Sequence, residues 1–120
     1  MRIAFDIDGT ITCCPEFFSV VSKALIAAGH KVYVISYRED REFAEQDLAE
    51  YGVVFDELVL PTEQEWQRSG GENWRQEIGQ WKAEACRRLG IDLLFDDMPE
   101  VVNAVGEKTV AFMAVRPLGC

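Results

Sequence analysis

No stretch of this chain approaches the roughly 20 consecutive apolar residues that span a bilayer. No basic segment with a long apolar run stands ahead of its first strand, so neither a membrane span nor a secretory leader is expected. Histidine is almost missing: His30 stands alone. Cys13, Cys14, Cys86 and Cys120 show no C-x-x-C spacing, which argues against a zinc site. Four cysteines are also too sparse for a disulfide framework, and they read as reduced thiols in a cytoplasmic protein. Basic residues are scarce, 12 Lys and Arg against 21 Asp and Glu, for a net charge of −9. A chain that coats nucleic acid or an anionic membrane needs the opposite balance. The deficit leaves room for an anionic substrate held locally through a metal ion. No G-x-G-x-x-G follows the first strand, so a dinucleotide-binding domain is excluded, and no repeat or linker divides residues 1–120, which read as a single domain.

What remains is 48% hydrophobic and alternates between two periods. Short apolar runs predict strands at Arg2 to Ile7, Lys31 to Ser36 ("KVYVIS"), Val53 to Leu60, Ile91 to Asp97 ("IDLLFDD") and Lys108 to Val115. Helical spacing fills the gaps at Pro15 to Ala28, Arg41 to Tyr51, Glu72 to Leu89 and Pro99 to Val105, and Gly29, Gly52, Gly90 and Gly106 sit where helices stop. The irregular stretch "PTEQEWQRSGG", Pro61 to Gly71, carries Thr62 and Glu65 at capping-box spacing and so predicts one helical turn. Strands alternating with such helices predict an α/β three-layer sandwich around a mainly parallel five-stranded sheet, Rossmann-like in kind. Trp74 and Trp81, seven residues apart on the fourth helix, read as core.

In sheets of this kind ligands bind beyond the carboxyl ends of the strands. Asp6 and Asp8 in "AFDIDGTI" end the first strand, Ser36 the second, and Asp96 and Asp97 the fourth. On an extended strand Asp6 and Asp8 would share a face. An unpaired buried carboxylate costs several kcal/mol, so these acids need partners. Asp6, Asp8, Asp96 and Asp97 together offer hard oxygen ligands of the type that suits Mg²⁺. Gly9 lets the chain turn sharply and brings backbone N–H groups toward an anion, Thr10 adds a hydroxyl, and Arg38, two residues past Ser36, is placed to meet a substrate phosphate or carboxylate.

This set of residues resembles the four motifs of the haloacid dehalogenase-like superfamily of phosphohydrolases: "DIDGT" closing the first strand, Ser36 the second, then a Lys, then "DD" after the fourth. The resemblance runs over nearly the whole chain. It implies that Asp6 is a nucleophile forming an aspartyl phosphate and that Asp8 is a general acid and base. It further implies that Ser36 binds the phosphoryl oxygens and that Mg²⁺ sits on the Asp6 side chain, the Asp8 backbone carbonyl and Asp96, with Asp97 beside them. By order along the chain Lys82 is its lysine, placed by spacing on the rim of the apolar stripe. The presence of Asp8 favours a phosphatase or phosphotransferase over a dehalogenase. No insertion is long enough for a cap domain, so the implied class is capless. Its open site would be covered by Trp66 or by a neighbouring copy in a homo-oligomer, and its substrate would be a nucleotide, a sugar phosphate or a phosphorylated macromolecule. A catalytically silent Mg²⁺-binding module or a phospho-receiver-like signalling domain is the alternative. Cys13 and Cys14 read as small residues beside the catalytic turn.

Overall fold

The computed structural model describes residues 1–106 and 108–116. Five strands, β1 (Arg2–Phe5), β2 (Lys31–Ile35), β3 (Glu57–Val59), β4 (Leu93–Asp96) and β5 (Val110–Met113), form one parallel sheet in the order β3-β2-β1-β4-β5. Between them lie α1 (Pro15–Ala27), α2 (Arg41–Tyr51), α3 (Glu63–Arg68), α4 (Trp74–Leu89) and α5 (Pro99–Ala104), with a 3₁₀ turn at Ile11–Cys13.

Alternation along each strand divides the core in two. Ile3, Phe5, Val32, Val34 and Leu58 face Phe18 of α1 and Ala44 and Leu48 of α2. Ala4, Tyr33, Ile35, Val59 and Leu94 face Ile78, Ala85 and Cys86 of α4 and Val101 of α5. The result is the expected three-layer α/β sandwich. No helix among the described residues is long and apolar enough to cross a membrane.

Helix boundaries follow local chemistry. The Asp40 carboxylate accepts the Phe43 N–H at 3.0 Å to start α2, and Gly52 ends it in the left-handed region at φ +71°. Thr62 and Glu65 form the full capping box that opens α3.

The strands are shorter than their apolar runs. β1 stops at Phe5, one residue short of the turn over Ile7 to Thr10. β3 has three residues, because the Asp56 carboxylate takes the Val32 N–H at 2.8 Å where the ladder would otherwise begin. Val53 is buried without belonging to a strand, so its burial and not its pairing produced the apolar signal.

Candidate functional site

The sheet reverses its building direction at β1. β2 and β3 extend one way, and the chain then crosses back to lay β4 on the other side of β1. Beyond the carboxyl ends of β1 and β4 is therefore the switch point at which such sheets bind ligands. The register pairs Phe5 with Phe95, and the Asp6 N–H donates to the Phe95 carbonyl at 2.9 Å. Asp6 and Asp96, 90 residues apart in sequence, are thus set side by side.

Both carboxylates are buried, at 5% and 0% exposure, and Lys82, at 2%, lies between them. Its ammonium donates to Asp6 Oδ1 at 2.7 Å and to Asp96 Oδ2 at 2.6 Å. Asp96 Oδ1 accepts the Met98 N–H at 2.9 Å. Sequence spacing put Lys82 on the rim of α4, and the structure corrects this: Lys82 lies on the fully buried face with Ile78, Ala85 and Cys86. Such a position is tolerable only because two carboxylates wait opposite it. Burial opposes the charge on Lys82, but the Asp6 and Asp96 carboxylates outweigh burial and hold its pKa above the ordinary value. Asp6 moves the other way for an acid. Burial, helped by the neighbouring Asp96 charge and opposed by Lys82, raises it from 3.8 to about 8.

Among the described residues, two buried hydroxyls at this end of the sheet lack partners. Thr10 Oγ1 and Ser36 Oγ are buried with no hydrogen bond. A buried hydroxyl left unpaired costs about 1–3 kcal/mol. Ser36 follows β2, whose register sets it near the end of β1, and its N–H is tied to the Val59 carbonyl at 3.1 Å. Gly9, at φ +83°, lets the turn fold back tightly. A Cβ there would lie 2.2 Å from Asp97 Oδ2, so the Asp97 carboxylate packs directly on the glycine. The side chains of Asp6, Asp96 and Asp97 each offer an oxygen within 4.8 Å of the others.

Asp8 is elsewhere. Because the strand ends at Phe5, Asp6 and Asp8 do not share the face of an extended segment, which corrects that expectation. Asp6 turns inward, while the Asp8 side chain is 65% exposed and stands outside the carboxylate cluster. Arg38 holds it with a fork, Nε to Oδ2 at 2.9 Å and Nη2 to Oδ1 at 2.8 Å. The third arm of Arg38, Nη1, reaches Asp47 Oδ2 of α2 at 2.7 Å. The part played by Asp47 was not visible in the sequence, where it is one acid among many on an exposed helix.

Trp66 of α3 stacks on Tyr37 at 5.3 Å between ring centroids, and Tyr37 meets Trp81 edge-on at 5.3 Å. Tyr37 follows Ser36 and Trp81 precedes Lys82, so α3 is anchored to the segments that carry the site. Trp74 departs from the core reading: it opens α4, is 44% exposed, and is covered by the Arg75 guanidinium. Cys14 and Cys86 carry free thiols, whereas Cys13 does not, which corrects the expectation of reduced thiols at that position. A cavity of about 520 Å³ lies at the opposite end of the sheet, lined by Cys86, Gly90, Asp92 and Thr109 and by none of Asp6, Asp8, Ser36, Lys82, Asp96 and Asp97.

No protein-family model and no curated protein matches this sequence.

Proposed function

We propose that this protein is a Mg²⁺-dependent phosphomonoester hydrolase that works through an aspartyl phosphate on Asp6. The observation that carries the reading is the buried Asp6–Lys82–Asp96 group with the unpartnered Ser36 and Thr10 hydroxyls at the same end of the sheet. Hydroxyls buried without partners suit a ligand rich in acceptors, and a phosphoryl group is one.

The residues also fit a divalent cation. With all groups ionised, Asp6, Asp96 and Asp97 set three negative charges against the one positive charge of Lys82. The difference is the charge of one such ion, and the donors are hard oxygens. Asp6, Asp96 and Asp97, with the Asp8 carbonyl, would hold Mg²⁺. When bound, it would offset repulsion between the nucleophile and the phosphate dianion.

In the first half-reaction an Asp6 carboxylate oxygen attacks phosphorus. The bond from phosphorus to the ester oxygen breaks, and the leaving oxygen takes a proton from the Asp8 carboxylic acid. In the second, Asp8, now ionised, removes a proton from water as that oxygen attacks phosphorus. Inorganic phosphate leaves, and both aspartates return to their starting states. Lys82 keeps Asp6 oriented and offsets charge on the transferring group, while Ser36 and Thr10 donate to its oxygens.

A receiver-type signalling domain suits this fold less well. Receivers share the flavodoxin-like strand order 2-1-3-4-5, whereas the order here is 3-2-1-4-5. β3 is moreover an edge strand that ends in Val59, with no acid at its close. A silent Mg²⁺-binding module draws support from the engagement of Asp8 by Arg38.

One assay separates the readings. Hydrolysis of p-nitrophenyl phosphate is expected with Mg²⁺, with loss in excess EDTA and in Asp6→Asn. Undiminished turnover in either condition overturns the proposed mechanism. Tight Mg²⁺ binding without turnover supports the silent module.

A further inference from the structure

We infer that Arg38 is a positioning residue for Asp8, held in place by Asp47, and not a grip for the substrate phosphate. This rests on the reading of Asp8 as the proton-transfer group. A bidentate arginine–carboxylate pair uses both donors of one guanidinium fork. Here both oxygens of Asp8 already fill the Nε–Nη2 fork, and Nη1 is bound to Asp47, so each of the three guanidinium nitrogens already donates to a carboxylate. Arg38 is also half-buried, its side chain 15% exposed, and rests near the Phe43 ring of α2.

The arrangement answers a need of the turn. Asp8 protrudes from a tight bend with its side chain 65% exposed. Left alone, such a side chain samples several rotamers, few of which face a leaving group. The fork takes one lone-pair direction on each Asp8 oxygen and leaves the other free. Ser36 and Arg38 lie two residues apart on one loop, so the unpartnered hydroxyl and the holder of the acid are set by the same backbone. Magnitudes separate this role from a structural one. The Arg38–Asp8 pair, open to water on the Asp8 side, contributes little to folding, about 0–1 kcal/mol, and what the half-buried Arg38–Asp47 pair adds to stability is read separately from Asp47→Asn. Misplacement of a reacting group, by contrast, can cost about 100-fold in rate.

The experiment uses the full chain with p-nitrophenyl phosphate and Mg²⁺, comparing Arg38→Ala, Arg38→Lys and Asp47→Asn with wild type. For Arg38→Ala, kcat is expected to fall about 10- to 100-fold and KM to stay within about twofold. Arg38→Lys keeps the charge without the fork and is expected to restore only part of kcat. Asp47→Asn is expected to lower kcat in the same direction but less. In an Asp8→Asn background, Arg38→Ala is expected to cause no further loss, because its target is gone. A rise in KM at unchanged kcat, or losses that multiply in the double variant, overturns the inference while the phosphatase reading stands. A wild type inert toward phosphomonoesters sinks the reading beneath it as well. In the metal-free protein, the Arg38 Nε–H should give a protected ¹⁵N-correlated signal that Asp8→Asn abolishes. A signal unaltered by that substitution also overturns the inference.

Discussion

At the level of single residues, Lys82 supplies the cation between two carboxylates that are otherwise shut away from water. Removing one partner of a buried ion pair is expensive because the other charge keeps its desolvation cost. Lys82→Met conserves most of the volume, so its effect isolates the charge. It is expected to destabilise the metal-free fold by about 3–5 kcal/mol, read from urea unfolding. A loss smaller than about 1 kcal/mol would mean that the carboxylates opposite Lys82 do not depend on its charge. Lys82 also shows where single-residue reading stops. Along α4 a lysine in an apolar stripe looks like a rim position, since burial alone would penalise it. Only the sheet, by laying β4 beside β1, puts Asp6 and Asp96 beneath it. The acids themselves were legible, because polar residues closing buried strands need a reason to be there.

Among the elements, the contact between α4 and α5 decides where Lys82 sits. Gly79, three residues before Lys82, packs so closely on α5 that a Cβ would lie 2.7 Å from the Glu100 carbonyl oxygen. Alanine there gains about 1 kcal/mol of helix propensity, whereas overpacking costs about 1–3 kcal/mol. The obstacle is backbone and cannot swing aside, so the clash should prevail. Gly79→Ala is accordingly expected to lower the melting temperature and to reduce turnover by shifting Lys82. A more stable variant would show that α4 has slack against α5. Helix boundaries were readable because they are set locally: Asp40 and the Thr62–Glu65 box at starts, Gly52 and Gly90 at stops. Strand ends were not. The apolar run Val53–Phe55 leads into β3 without joining it, and hydrophobicity does not say where a neighbour stops offering hydrogen bonds. Trp74 was misjudged for a related reason: periodicity assigns a face, but the first turn of α4 leaves that face open to water.

For the whole molecule, the link between protonation and folding gives a signed prediction. Folding raises the Asp6 pKa from 3.8 to about 8, so between those values the folded chain holds a proton that the unfolded chain has released. Stability of the metal-free protein is then greatest on the acid side of that window and falls as pH rises through it. Because a cation requires ionised Asp6, the gain in melting temperature on adding millimolar Mg²⁺ is expected to be larger near pH 8 than near pH 5. An equal gain at both pH values would place the ion away from Asp6. Sequence by itself determined the alternation of strands and helices, the α/β class and the polar residues at the strand ends, since each follows from local periodicity and from the cost of burying charge. Only the tertiary structure decided that Asp6, Lys82 and Asp96 meet, that Asp8 turns out to Arg38, and that Thr10 and Ser36 are left without partners. Those facts depend on strand order and on the tight turn after Phe5, which bring together groups that have no relation along the chain.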